Sequence, residues 1–140
     1  MATTASVVLR TVEGSGLVFQ AQVPNGPGFV MDSGEQPQGP SPVEALLLAL
    51  GACAGMDVIS ILRKKRQAVV GYEVTLNGER RAEHPHSFRR IEVVHRVRGR
   101  DLSAAAIEEA IRLSDTKYCS VHACLAPTVE IVSRHEIIPA

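Results

Sequence analysis

The sequence predicts an α+β fold. Three patterns in its 140 residues indicate this: short β-rich runs separated by glycine turns near the N-terminus, one long apolar helix in the middle, and a second hairpin followed by helices and a last strand. The length suits a single domain over residues 1–140, and no internal repeat divides it.

The N-terminal region, about residues 5–33, is predicted to be a β-meander. Two apolar runs at 6–12 and 17–23 flank the glycine-containing turn 13–16, a spacing typical of a hairpin. A short third strand is expected at 28–32.

A long central helix is predicted over about residues 42–67. Ser41 is a suitable N-cap, Pro42 suits the first helical position, and Glu44 completes a capping box three residues after Ser41. Residues 45–56 are apolar or small on every side, and this run is too short to span a bilayer. Such a surface must be covered all round. Because a chain of this size cannot cover it alone, we expect a partner chain to do so in part.

The second half of the chain predicts a β-hairpin at about 70–98, helices at about 103–125 and a final strand at about 128–138. His95 lies in the second hairpin strand, in register with the apolar residues that are expected to face the core. This position favours a buried, hydrogen-bonded structural histidine over a ligand.

Charge and composition exclude several classes of protein. Lys plus Arg equals Asp plus Glu at 15 each, whereas a nucleic-acid-binding domain usually carries a net positive charge. The first ten residues lack the charged and apolar regions of a signal peptide. We therefore expect a cytoplasmic protein with neither a nucleic-acid nor a membrane partner. In that reducing compartment, three cysteines do not form a structural disulfide framework.

Cys53 is predicted to lie in the middle of the central helix, between Gly51 and Gly55. A glycine inside a helix costs about 0.5–1 kcal/mol relative to alanine. Two in one turn indicate that another backbone or a ligand approaches the helix closely. A small packed core thiol is the alternative interpretation of Cys53.

Cys119 is predicted to lie near the start of a short helical segment. A helix N-terminus and a nearby cation, Lys117 or His122, would lower the pKa of such a thiol. With Cys53 deep and Cys119 more exposed, the two would suit a peroxidatic and a resolving thiol.

A metal site is the rival interpretation of these residues. Cys119, His122 and Cys124 form a C-x-x-H-x-C cluster that Cys53 would complete as a tetrahedral set. The spacing matches no standard zinc pattern.

Several segments together resemble the OsmC/Ohr family, and its YhfA-like subgroup most of all. The resemblance extends from about residue 39 to the end of the chain. Its motifs are residues 39–53, 57–59, 61–66, 78–81, His84-Pro85, Leu113-Ser114 and 117–121.

The resemblance implies an OsmC/Ohr-like fold in which antiparallel sheets wrap long central helices in an intertwined homodimer, with the active sites at the interface. It implies thiol-dependent reduction of organic hydroperoxides in oxidative or osmotic stress defence. Cys53 would form a sulfenic acid, Cys119 would then form a disulfide with it, and a dithiol would reduce that disulfide. Cys124 matches no thiol of the family and is expected to pack in the core. Neither a cofactor nor a resident metal is expected.

Two activating groups of the family do not transfer directly. The family places a Glu directly after the helix-opening Pro, but here Val43 follows Pro42 and Glu44 precedes Cys53 by nine residues. At about 100° per residue, Glu44 would lie on the opposite side of the helix from Cys53.

The family also supplies an Arg from the N-terminal region, and Arg10 is the sole Arg before the helix. Arg10, Glu44 and His122 are therefore candidate activating or binding groups. The alternative function is a non-peroxidatic OsmC-like protein that binds an apolar small molecule, or reacts with another electrophile, at the dimer interface.

Overall fold

The computed structural model describes residues 1–140 and divides them into two compact units, Met1–Leu46 and Leu47–Ala140. It confirms the predicted α+β class. The elements in chain order are β1 (Ser6–Leu9), β2 (Phe19–Gln22), β3 (Val30–Met31), α1 (Pro42–Lys64), β4 (Ala68–Arg80), β5 (Phe88–Arg100), α2 (Ala104–Leu113), a π-helical turn (Ser114–Tyr118), α3 (Ser120–Leu125) and β6 (Glu130–Pro139).

The first unit contains the predicted meander, in which β1, β2 and β3 pair antiparallel in sequence order. All three strands are shorter than predicted. Residues 10–18 lie outside the strands, although the Arg10 backbone N–H still donates to the Val18 carbonyl at 2.9 Å, and β3 is reduced to two residues. Pro24 and Pro27 precede β3 and have no backbone N–H to donate to a ladder.

Helix α1 begins as predicted. The Ser41 backbone N–H donates to the Glu44 carboxylate (2.9 Å), and the Glu44 N–H donates to Ser41 Oγ (3.2 Å), which completes the capping box. The helix ends at Lys64, short of the predicted end near residue 67. Arg66 adopts a left-handed backbone with φ 55°, and this conformation cannot continue a right-handed helix.

The second unit is built on a sheet with the order β4-β5-β6. Strands β4 and β5 form the predicted antiparallel hairpin, and each is 13 residues long. Strand β6 runs parallel to β5, so the chain must cross over between them, and α2, the π-helical turn and α3 form that connection. Ser103 Oγ caps α2 by accepting from the Ala106 N–H.

Helix α1 packs on this sheet through one of its faces. Its buried side chains meet β5 and α2 in a core formed by Val58, Leu62, Val97, Ile107, Ala110 and Ile111. A Cβ at Gly51 would lie 2.5 Å from a methyl of Leu76, whereas at Gly55 the nearest neighbours, Val74 and Tyr72, lie at ordinary contact distances. Within this chain the neighbours of the two glycines are therefore side chains of strand β4.

The opposite face of α1 remains apolar and open in the single chain. Leu48 is 58% and Met56 is 69% exposed. The whole helix is long and apolar enough to span a membrane by length and composition, which corrects the estimate based on residues 45–56 alone. The core helix of a soluble protein can have the same length and apolar composition.

Candidate thiol site

Helix α1 and the π-helical turn bring two cysteines and a carboxylate together. The sulfur atoms of Cys53 and Cys119 and a carboxylate oxygen of Asp57 all lie within 4.8 Å of one another. Cys53 and Asp57 are four residues apart on α1, so their side chains project from the same side of the helix.

The π-helical turn positions Cys119. The Cys119 N–H donates to the Ser114 carbonyl five residues earlier, at 2.9 Å. Ser114 is fully buried, and its hydroxyl donates to Asp57 Oδ2 at 3.0 Å. Cys119 is also the N-cap of α3, because its sulfur accepts from the His122 backbone N–H at 3.3 Å. One irregular turn thus directs both a thiol and a hydroxyl toward α1.

The relative exposure of the two thiols is the reverse of the prediction. Cys119 is only 4% exposed, whereas Cys53 is half-buried. The π-helical turn folds Cys119 back against α1, while Cys53 lies at the border between the buried and the open face of that helix. Cys124 is exposed on α3, which has no buried residue, so the predicted packing role of Cys124 is wrong for the single chain.

The predicted lowering of the Cys119 pKa is also wrong. Burial is the main cause that raises the pKa of the Cys119 thiol to about 11. The hydrogen bond from the His122 backbone N–H lowers this pKa in part, whereas the neighbouring Cys53 and Asp57 raise it further. The two cations proposed from sequence make other contacts. The Lys117 ammonium lies 5.2 Å from the centre of the Tyr118 ring, and the His122 imidazole lies 3.9 Å from the Asp115 carboxylate.

Asp57 is the site residue that sequence reasoning missed, although its spacing of four from Cys53 on a predicted helix was a usable signal. No Lys, Arg or His forms an ion pair with Asp57, since the ion pairs of this unit join other residues. Its one side-chain hydrogen bond comes from Ser114. The thiol site therefore carries a negative charge with no cation in contact.

Arg10 and Glu44 belong to the first unit. The exposed Arg10 guanidinium donates to Gln20 and Gln38 at 3.4 and 3.3 Å. The backbone N–H of Ser41 lowers the pKa of the Glu44 carboxyl, as expected for a capping-box acid. No ion pair joins Arg10 to Glu44.

The metal-ligand set suggested by the sequence is not assembled. Cys53 and Cys119 come together, but Asp57 is the third potential ligand beside them, and neither His122 nor Cys124 belongs to the cluster. Residues 119–124 do not form one ligand-bearing segment, because Cys119 is buried against α1 whereas Cys124 is exposed on α3.

His95 lies where the sequence predicted, fully buried on β5. Its Nδ1 shares a 2.6 Å hydrogen bond with the Tyr72 hydroxyl, and its Nε2 has no partner. Burial, and secondarily His135 on the neighbouring strand, lowers the pKa of His95 to about 4. His95 is thus a neutral structural histidine at neutral pH.

Comparison with known proteins identifies the family. The sequence model of the family described as OsmC-like protein matches residues 34–134, well over half of the chain. The chain belongs to the OsmC-like family. The protein YhfA of Escherichia coli is 43% identical to it over 125 residues, which cover 89% of this chain and 93% of YhfA.

Solved structures of this family share the fold. An OsmC-like protein from Mycoplasma pneumoniae superposes with a TM-score of 0.81 at 17% identity, covering 99% of this chain and 98% of that one. The organic hydroperoxide resistance protein OhrB of Bacillus subtilis superposes with a TM-score of 0.62 at 13% identity, covering 97% and 98%. The α+β architecture of this chain is therefore that of the OsmC/Ohr proteins.

Proposed function

We propose that this OsmC-like chain reduces organic hydroperoxides through a two-cysteine cycle in oxidative or osmotic stress defence. The observation that carries the proposal is the approach of the Cys53 and Cys119 sulfur atoms to within 4.8 Å. A modest movement closes that separation to a disulfide bond of about 2.05 Å. OhrB, a protein of the same fold, is named for organic hydroperoxide resistance.

Cys53 performs the first step because it is the more accessible thiol. Its thiolate attacks the terminal oxygen of the hydroperoxide, an S–O bond forms, and the O–O bond breaks. The alkoxide leaves as the alcohol after taking up, through water, the proton that Cys53 released. Cys53 is oxidised to a sulfenic acid and the hydroperoxide is reduced.

Cys119 performs the second step. With a pKa of about 11 it stays protonated at neutral pH, so it does not compete with Cys53 for the hydroperoxide. Its sulfur attacks the Cys53 sulfur, the S–S bond forms, and the S–O bond breaks. The hydroxide leaves as water with the proton of Cys119. An external dithiol then reduces the disulfide to two thiols and is itself oxidised.

Thiol counting tests this cycle. One equivalent of cumene hydroperoxide per chain is expected to remove two of the three free thiols, and peptide mapping should find a Cys53–Cys119 link with Cys124 free. Cys124→Ser should lose the same two thiols, and Cys119→Ser should stop at a sulfenic acid that dimedone traps. No thiol loss, or a Cys119–Cys124 link, would overturn the proposal.

A second function is favoured by an apolar groove beside the same helix. The groove has a volume of about 400 Å³ and is lined by α1 and β4 through Leu48, Gly51, Ala52, Gly55, Met56, Ile59, Tyr72, Val74 and Leu76. Asp57 and burial also raise the pKa of the Cys119 thiol, which disfavours its thiolate. On this view the chain binds an apolar small molecule or reacts with another electrophile. Saturable binding of an apolar fluorescent dye without thiol loss to hydroperoxide would support it.

The proposal includes a homodimer in the cytoplasm. The open apolar face of α1 supports a second chain as its cover. An odd number of cysteines, three, does not make a structural disulfide framework, which suits a reducing compartment. Arg10 and Glu44 remain candidate activating groups within this proposal.

A further inference from the structure

The cluster of Cys53, Asp57 and Cys119 has the composition of an incomplete metal site. It offers two sulfur ligands and one oxygen ligand, all within 4.8 Å of one another and none fully exposed. In a tetrahedral zinc site with Zn–S bonds of about 2.3 Å, two sulfur ligands are about 3.8 Å apart. The two sulfur atoms therefore need to close by about 1 Å or less, and each sulfur–oxygen pair by about 1.3 Å or less, to share one ion.

The charge around the cluster also favours a cation. Two thiolates and a carboxylate would bring three negative charges together, and no Lys, Arg or His forms an ion pair with Asp57. The buried Ser114 hydroxyl holds the Asp57 carboxylate through Oδ2. Hydrogen bonds of this kind orient a metal ligand and strengthen binding.

We propose that the reduced chain binds one thiophilic divalent cation, with Zn²⁺ as the probe ion, through Cys53 Sγ, Cys119 Sγ and a carboxylate oxygen of Asp57. Three protein ligands leave a fourth position for water or another small ligand, the pattern of zinc sites that are not closed. Sulfur ligands select soft or borderline ions, so Mg²⁺ and Ca²⁺ should not compete.

Metal binding and disulfide formation exclude each other at this site. Both sulfur atoms are needed as ligands, and a Cys53–Cys119 disulfide removes them. A bound cation would therefore protect the thiols from hydroperoxide, and oxidation would release the cation. The binding itself does not depend on the peroxidase proposal, since it needs only the reduced side chains.

Calorimetric titration of the reduced, metal-free protein with Zn²⁺ tests the inference. We expect one ion per chain, and a Co²⁺ titration should show the charge-transfer absorption of cobalt bound to thiolate. Asp57→Asn, which keeps both thiols, should weaken binding at least ten-fold, and Ser114→Ala should weaken it by about 10–100-fold. Mg²⁺ should give no heat of binding.

Cys124→Ser is the matched control, because Cys124 is an exposed thiol outside the cluster. It should bind zinc as the unmodified chain does, whereas Cys53→Ser and Cys119→Ser should lose the cobalt–thiolate signal in part. If a cysteine variant fails to fold by circular dichroism, the air-oxidised protein with a mapped Cys53–Cys119 disulfide replaces it and should not bind.

Zinc binding that Asp57→Asn leaves unchanged, or that Cys124→Ser abolishes, would overturn the inference, as would the absence of stoichiometric binding. Hydroperoxide reduction is assayed separately with a chelator present. A chain that binds zinc but loses no thiol to hydroperoxide would refute the proposed function and leave this inference intact. A chain that loses two thiols to hydroperoxide but does not bind zinc would refute this inference and leave the proposed function intact.

Discussion

Asp57 places a carboxylate where an activated thiol usually has a cationic neighbour. In the metal-free chain burial raises the pKa of the Cys119 thiol, and the nearby Asp57 raises it further. A bound cation would change the role of Asp57 from an opposing charge to a ligand. The two proposals for this site therefore concern the same three side chains in two different states.

Glu44 is the residue for which helix geometry and the family pattern disagree, and its substitution tests which applies. Its capping bonds with Ser41 account for its position. Glu44→Gln keeps an oxygen acceptor for the Ser41 N–H, so we expect the urea midpoint of unfolding to stay nearly unchanged. Ser41→Ala, which loses the cap, should cost about 1 kcal/mol by urea unfolding.

The same Glu44→Gln variant should reduce hydroperoxide at nearly the rate of the unmodified chain. If Glu44 instead orients an arginine toward the Cys53 thiolate, the rate should fall about ten-fold or more, which corresponds to about 1.4 kcal/mol in the barrier. A fall of that size with an intact circular dichroism spectrum would show that Glu44 acts in the chemistry.

His95 gives a pH dependence of stability with a defined sign. Its pKa is about 4 in the folded chain and about 6.5 when unfolded, so the unfolded chain takes up the proton more readily. The contribution of the neutral imidazole is fully present above pH 6.5 and is lost as the pH falls toward 4. Between pH 7 and pH 5 this loss amounts to about 2 kcal/mol.

Urea unfolding at the two pH values checks this. The drop in unfolding free energy from pH 7 to pH 5 should be about 2 kcal/mol smaller in His95→Gln than in the unmodified chain, whatever the absolute stability of the variant. An equal drop in both proteins would show that His95 titrates at its ordinary pKa in the folded state.

At the scale of elements, the π-helical turn Ser114–Tyr118 determines the thiol site, because it carries Ser114 to Asp57 and ends directly before Cys119. Ser114→Ala leaves the half-buried Asp57 carboxylate without its hydroxyl donor. We expect this to cost about 1.5–3 kcal/mol, as for hydrogen bonds to charged groups. Thr116→Ala removes an exposed hydroxyl that donates to the Arg112 carbonyl at 2.7 Å, and should cost only about 0.5–1 kcal/mol, as for an ordinary neutral hydrogen bond.

Urea unfolding of both variants gives the comparison. A similar loss in the two would mean that the turn is stabilised by its backbone alone and that the bond from Ser114 to Asp57 contributes little. A clearly larger loss in Ser114→Ala would show that this turn and α1 are held together at the thiol site.

Elements with local signals were predictable from sequence, and those with non-local causes were not. The capping box at Ser41, the serine cap at Ser103 and the alternation in the second hairpin each leave a pattern within a few residues. The π-helical turn leaves no such pattern, because residues 104–125 suit a continuous helix almost as well. The burial of Cys119 and the contact of Ser114 with Asp57 follow from that turn.

The parallel pairing of β6 with β5 also leaves no local pattern in the sequence. Strand β6 was predicted from its composition, but its neighbour depends on how the intervening helices cross over, and this is a property of packing. The pairing places His135 beside His95. Of the two causes that lower the pKa of His95, only its burial was therefore predictable from the sequence, and the neighbouring His135 was not.

For the whole molecule, the open apolar face of α1 leads to a prediction about assembly. Within the chain, 33% of the most apolar stretch of the helix is buried, and Leu48 and Met56 project into solvent. Apolar surface of this kind on a soluble protein marks an interface. We expect light scattering after size exclusion to give twice the 15.0 kDa mass of the chain at micromolar concentration.

Met56→Glu should convert that dimer to monomer, because it would bury an unpaired charge at the proposed interface. Ala105→Glu is the matched control, since it adds the same charge at an exposed position in the first turn of α2, where a carboxylate is tolerated. It should remain dimeric. A folded monomer for the unmodified chain would refute the dimer, whereas dissociation of both variants would show that net charge rather than the α1 face controls assembly.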